Sequence, residues 1–228
     1  INEKDNMFSG NLDHYFRCGK DALKLIIGFL TTTRREEPKT ILDFACGHGR
    51  VARYIRAAFP DAELVVSDTN HNAVDFCSKE FNAIPKYSLL NLDEIHFDKK
   101  FDLIWCGSLI THLEEHNGKK LLQLFNRHLN DNGIAVFTFH GGFVADRWKK
   151  GSWGYKIKEA EYKAMSEIYH SGKYAFANYE GQNGYGISIT PLQWYLNTVE
   201  EISGLNVLGW LDRGWDKHQD ALCISKTI

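Results

Sequence analysis

No run in these 228 residues is apolar enough for long enough to span a bilayer, and nothing near the start has the order of a secretory signal peptide. The chain is therefore expected to act away from the membrane. An excess of basic residues is also missing: 27 Lys and Arg stand against 29 Asp and Glu, and Arg34-Arg35 is answered at once by Glu36-Glu37. That balance lacks the electrostatic footprint of a nucleic-acid binder, so nucleic acid is not expected as a partner. Cysteine is sparse. Its five copies, Cys18, Cys46, Cys77, Cys106 and Cys223, are odd in number, scattered and mostly within apolar segments. This argues against a disulfide framework and for reduced thiols in a cytoplasmic protein. Apolar residues, by contrast, make up 43% of the chain, enough to bury a full core, and residues 1–228 read as one domain. Because it opens on Ile1 rather than Met, the chain is expected to be trimmed or to be part of a longer protein.

The segment Thr40-Ile41-Leu42-Asp43-Phe44-Ala45-Cys46-Gly47-His48-Gly49-Arg50 carries the most information. An apolar strand runs into a turn in which Gly47 and Gly49 leave no Cβ between backbone and a ligand. A second strand, Glu63-Leu64-Val65-Val66-Ser67-Asp68, ends in an acid placed where a carboxylate binds the two hydroxyls of a ribose. The run Gly47-x-Gly49-x-x-Ala52 satisfies the loose dinucleotide pattern, so the glycines alone do not choose the cofactor. Asp43 helps to choose. A pyrophosphate at the helix N-terminus has no cationic group for that acid, whereas S-adenosylmethionine carries an ammonium and a sulfonium.

With Asp43, Ala45, Gly47 and Gly49 standing for its Asp-x-Gly-x-Gly-x-Gly motif, the chain resembles the class I S-adenosylmethionine-dependent methyltransferases over roughly residues 40–140. Ala45 departs from the motif's first glycine. The resemblance implies S-adenosylmethionine as cofactor, its ammonium on Asp43, its ribose on Asp68, and its body against Ala45, Cys46, Gly47 and Gly49. Counting back from Phe101-Asp102-Leu103-Ile104-Trp105-Cys106, which resembles the family's fourth-strand motif, the adenine contact falls at Asn91, with Leu92 and Cys106 beside it. An Asn accepts a hydrogen bond from an amino group without bringing charge.

Strand-like segments at Thr40–Ala45, Glu63–Asp68, Lys86–Leu90, Phe101–Cys106 and Gly133–His140 alternate with helical patterns at Arg50–Ala58, Asn72–Phe81 and Lys119–Leu129. Such alternation predicts an α/β fold with a parallel sheet and right-handed crossovers. Near the end, Leu205–Asp212 and Ala221–Ser225 flank a polar loop and predict a hairpin. Together with the resemblance this gives a Rossmann-like fold: a seven-stranded, mostly parallel sheet with an antiparallel C-terminal hairpin. Within it, residues 1–39 form an N-terminal helical lid (helix Leu12–Leu30), 40–140 the cofactor-binding core, 141–190 an aromatic-rich insertion after the fifth strand, and 191–228 the C-terminal helix and hairpin. The insertion starts where open α/β sheets bind ligands. With the loop Asp212–Asp220 it is expected to form the acceptor pocket, drawing on Tyr15, Arg147, Trp153, Tyr185, Arg213, Trp215 and His218. The same aromatics equally suit a local subcore.

Other motifs weigh less. His112-Leu113-Glu114-Glu115-His116 matches a zinc-protease pattern but starts just past a strand and meets Asn117-Gly118, so no metal ligands are assigned. Tyr169 and Lys173 match the pair of NAD-dependent short-chain dehydrogenases, yet Ser171-Gly172 interrupts the helix that pair needs, and Asp43 has no use there. A non-catalytic cofactor-binding module remains a third reading. His140, at the end of the fifth strand, is the candidate general base because its ordinary pKa lies near neutrality. The expected reaction is methyl transfer, at oxygen or alternatively at a small amine. The expected acceptor is a small molecule or glycan, with an anionic group suggested by six cations between Asp146 and Lys163.

Overall fold

Continuous apolar stretches such as Ile41-Leu42 and Leu64-Val65-Val66 suit strands covered on both faces, and the computed structural model, which describes residues 1–152 and 154–227, places them so. Strands β1 (Thr40–Phe44), β2 (Glu63–Asp68), β3 (Ile84–Tyr87), β4 (Phe101–Cys106) and β5 (Leu129–Phe139) run parallel. Two further strands, β6 (Ala175–Asn178) and β7 (Gly186–Ile189), form a separate antiparallel ribbon. The main sheet is closed by the antiparallel pair β8 (Leu205–Trp215) and β9 (Gln219–Lys226), in the order β3-β2-β1-β4-β5-β9-β8. This is the expected seven-stranded Rossmann-like sheet with its C-terminal hairpin.

Alternate side chains of each central strand enter different layers. Ile41, Leu64, Val66, Leu103 and Trp105 pack on one face, and Leu42, Val65, Ile104 and Cys106 on the other. The first layer is covered by α1 (Leu12–Thr32), α2 (Ala52–Ala58) and α3 (His71–Phe81), the second by α4 (Glu115–His128) and α7 (Leu192–Glu201). In α1 the stripe Cys18, Ala22, Leu25, Ile26 and Phe29 is buried against the sheet. At roughly 1.5–3 kcal/mol for each large apolar side chain, that stripe makes the helix a core element. Its N-cap is Asn11, whose side chain accepts the His14 N–H. The helix read as a lid is thus anchored in the core, and its first turns bring His14 and Cys18 to the cleft above the sheet.

Element ends differ from the expected ones where burial is weak. The third strand, expected at Lys86–Leu90, occupies Ile84–Tyr87, an edge strand whose mostly exposed side chains leave little alternation to read. The hairpin loop, expected over Asp212–Asp220, shrinks to Asp216, Lys217 and His218, because pairing resumes at Trp215 and Gln219. Asp216 and Lys217 adopt φ of 51° and 54°, the mirror-image turn that matches the twist of paired strands.

The insertion contains α5 (Gly142–Lys149), α6 (Glu159–His170) and the β6–β7 ribbon. Val144, Trp148, Tyr162, Met165, Ile187 and Ile189 form its own cluster, so part of the aromatic content serves a subcore. The competing motifs separate as well. His112 ends a 3₁₀ turn, whereas His116 lies in the first turn of α4. Tyr169 sits in α6 and Lys173 lies beyond that helix's end at His170.

Candidate active site

The turn after β1 is held by backbone. The N–H groups of Ala45 and Cys46 both donate to the Ser67 carbonyl, which ties the ends of β1 and β2 together. Ala45, Gly47 and Gly49 have φ of 61°, 50° and 73°. A Cβ at Gly47 would meet nothing within 4 Å, so the backbone there is open to a ligand. At Gly49 it would lie 2.3 Å from the Phe81 ring, which makes that glycine a requirement of helix packing. Asp68 accepts from the N–H groups of Gly47 and Asn70, each at 2.9 Å, and each carboxylate oxygen retains a further lone pair. Asp43 is fully buried. Its Oδ2 has no partner among the described residues, and burial, reinforced by the Asp68 charge, lifts its pKa to about 8. An acid so placed is built to meet a cation. The remaining expected cofactor contacts divide. Cys46 is buried in the turn, and Cys106 is buried at the end of β4, its thiol pKa raised by burial. Asn91 is exposed; its side chain caps the turn Leu92–Glu94 and donates to Glu94. The Leu92 side chain points into the core.

Beyond β4 a cleft of about 1510 Å³ opens between the insertion, the first turns of α1 and the hairpin turn. His140, Tyr185, Trp215 and His218 line it, as expected from sequence. Tyr15 does not: it is buried, with its hydroxyl donating to Asp5. Arg213 is exposed and turned toward Asp212 and the Phe143 ring, because the irregularity in β8 between Leu211 and Trp215 sends it off the cleft. Arg147 borders only a small adjoining recess with Tyr155 and His218. Trp153 lies outside the described residues. Of the six cations between Asp146 and Lys163, Lys156 and Lys158 line the main cleft, offset by Glu161 and Glu180.

The central constellation includes a residue that sequence reading did not assign. Tyr155 Oη lies 2.7 Å from His140 Nε2 and 2.8 Å from His218 Nε2. His140 Nδ1 faces the Ser188 carbonyl at 3.1 Å. A carbonyl only accepts, so Nδ1 carries the proton, Nε2 is the acceptor, and Tyr155 donates to it. Burial lowers the His140 pKa to about 3, which keeps the ring neutral. The cleft floor is a second network: Thr138 donates to Gln219, and Gln219 donates to Ser108. On the opposite wall, His112 donates to the Gly186 carbonyl and stacks on Tyr185 with ring centres 5.2 Å apart.

With this geometry, a model of the methyltransferase domain matches residues 42–135 of the chain. Residues 42–135 match the methyltransferase family, and the fold around them is that of solved S-adenosylmethionine-dependent methyltransferases. A malonyl-[acyl-carrier protein] O-methyltransferase of Acetivibrio thermocellus is 22% identical over 134 residues, covering 58% of this chain and 46% of that protein. A ubiquinone biosynthesis O-methyltransferase of Rickettsia felis is 26% identical over 124 residues, covering 54% and 50%. The chain thus spans about half the length of the curated relatives it matches. Among solved structures, a S-adenosylmethionine-dependent methyltransferase from Clostridium acetobutylicum superposes with a TM-score of 0.65 at 14% identity over 92% of each chain. The residues of this methyltransferase fold fit the family's cofactor, S-adenosylmethionine. The unpartnered, buried oxygen of Asp43 suits an ammonium, and the open backbone at Gly47 admits a ligand without a Cβ in the way. No helix among the described residues is long and apolar enough to cross a membrane.

Proposed function

We propose that the protein transfers a methyl group from S-adenosylmethionine to a hydroxyl of a small polar molecule or glycan unit held in the cleft. The observation that carries this reading is the His218–Tyr155–His140 chain on the cleft wall. The cofactor would supply a carbon activated for in-line displacement, held by Asp43 and Asp68, so the protein needs no nucleophile of its own.

His140, with Nδ1 fixed by the Ser188 carbonyl, keeps its Nε2 lone pair on Tyr155 and draws that hydroxyl's proton away from the cleft. His218 Nε2–H donates to the Tyr155 oxygen, which keeps one lone pair to accept an acceptor's O–H and orient its oxygen for attack. A base with a pKa near 3 is too weak to ionise an alcohol before the methyl group arrives. It suffices once the C–O bond begins to form, because an oxygen taking a third bond becomes a strong acid. The proton then passes from acceptor to Tyr155 as the Tyr155 proton passes to His140, and it leaves late in the reaction. Tyr155 is on this reading the group that touches the acceptor, and His140 acts through it. Two of the curated relatives named above are O-methyltransferases, which supports oxygen as the target. The buried, unpaired cysteines support a reducing, cytoplasmic setting.

The test is transfer from methyl-labelled donor to pools of hydroxylated, carboxylated and amino compounds, read by mass spectrometry of the products. Label on an oxygen is the expected result. Label on nitrogen alone, or on no acceptor while the donor binds, overturns the reading.

A further inference from the structure

Helix α1 and the β8–β9 turn bring together three side chains that neither the donor loop nor the Tyr155 chain uses. His14 Nε2 lies 2.7 Å from Asp216 Oδ2 and 3.4 Å from Cys18 Sγ, and the three ligand atoms all fall within 4.8 Å of one another. His14 and Cys18 stand four residues apart in α1 and so share one face of it. Asp216 comes from the other end of the chain, in the left-handed turn that closes the hairpin. All three line the cleft, and Cys18 is buried.

An imidazole nitrogen, a thiolate sulfur and a carboxylate oxygen are the donors that zinc accepts together, at about 2.0–2.3 Å each. Three such donors in a tetrahedral shell stand roughly 3.3–3.8 Å apart, a spacing set by those bond lengths. The His14–Cys18 separation already matches. The His14–Asp216 contact is shorter because a shared proton now holds the pair together, and a cation in its place would open it by about half an ångström. We propose that His14, Cys18 and Asp216 bind one divalent transition-metal ion of the zinc type, with its fourth position open to the cleft. The ion displaces the Cys18 thiol proton to solvent, and the proton between His14 and Asp216 leaves Nε2, the neutral ring then carrying its proton on Nδ1; nothing is oxidised or reduced.

The surrounding charges bear on which metal fits. Arg17 donates to the second carboxylate oxygen of Asp216 at 3.4 Å, leaving Oδ2 for the ion, and Arg50 lies over the Trp215 ring, 5.2 Å from its centre. Two nearby cations select against Mg²⁺ and Ca²⁺, which are held mainly by negative charge, and leave an ion that bonds to thiolate. The site stands on the geometry of the helix and turn, and does not depend on the methyl-transfer reading.

The experiment is titration of chelator-treated protein with Co²⁺ as a spectroscopic stand-in, followed by displacement with Zn²⁺. One equivalent of Co²⁺ is expected to produce tetrahedral visible bands and a thiolate-to-cobalt absorption that Zn²⁺ removes. Cys18→Ser should abolish the thiolate absorption, and Asp216→Asn should weaken binding at least tenfold, with melting curves confirming that both variants fold. In the native protein, Zn²⁺ should also slow alkylation of Cys18, read by peptide mass mapping, which decides the question should Cys18→Ser fail to fold. Absence of a thiolate band at stoichiometric Co²⁺, its persistence in Cys18→Ser, or alkylation of Cys18 at an unchanged rate with Zn²⁺ present overturns the site.

Discussion

On the donor side of the cleft the functional groups lie between Asp43 and Asp68, joined by backbone hydrogen bonds between adjacent parallel strands. On the acceptor side they come from α1, the loop after β4, the end of β5, the insertion and the hairpin turn, and they meet through side chains. The first arrangement recognises a fixed ligand through a loop whose shape is dictated by φ values that few residues adopt. The second is a set of independent parts on a common rim, so it can be rebuilt for another acceptor without disturbing the sheet. Rigidity in one half is what makes variation in the other tolerable.

That contrast is breakable, and the largest effect should come from Gly49→Ala. The new methyl group collides with the Phe81 ring at a φ of 73°, so a loss of about 4 kcal/mol of folding stability is expected by denaturant titration. A loss under about 1 kcal/mol would mean the donor loop is less rigid than its geometry implies. Next, Asp43→Asn should weaken S-adenosylmethionine binding by about 3 kcal/mol, or over a hundredfold, measured by calorimetry. The same substitution should change stability in the opposite sense. With a folded pKa of about 8 against an ordinary 3.8, the folded chain holds a proton that the unfolded chain has released. Stability of the free protein therefore falls as pH rises across that window, and Asn should remove the slope. A parallel pH–stability profile in the two proteins would break the assignment.

On the acceptor side, Tyr155→Phe should lower kcat for a hydroxyl acceptor by about 2 kcal/mol in barrier, roughly thirtyfold, with donor affinity unchanged. Equal loss of donor affinity would show that the two halves are not separable. The smallest effect is expected at Ala45, whose φ of 61° suits glycine. Ala45→Gly should raise stability by about 1 kcal/mol or less in thermal unfolding, and a decrease would place the turn's strain elsewhere.

The two halves also differ in how much of them sequence reveals. Asp43, Gly47, Gly49 and Asp68 could be named because strand, turn and acid are contiguous and each residue type has a local physical reason. His140, Tyr185, Trp215 and His218 were reachable from the rule that ligands gather at the carboxyl ends of strands. The joining of His140 to His218 through Tyr155 was not, since it depends on how the insertion folds back over β5. Arg213 was misplaced for a similar reason: the charge is visible in the sequence, but the bulge in β8 that turns it outward is not. His14 and Cys18 share a helix face, but Asp216 stands 202 residues beyond His14, so spacing offered no signal that joins the three.

Strand β9 pairs with β5 so that Asp220 stands opposite Phe139, and this register sets His140 against the hairpin turn that carries Asp216 and His218. A slip of two residues, the smallest that keeps the buried face buried, would carry the turn about 6.6 Å along β5, beyond the reach of any hydrogen bond. The donor loop joins strands that are neighbours in sequence, yet Cys46, Val51 and Cys77 share one core with Trp215, Ala221 and Cys223. Both sides of the cleft are therefore completed by the last strand to be made.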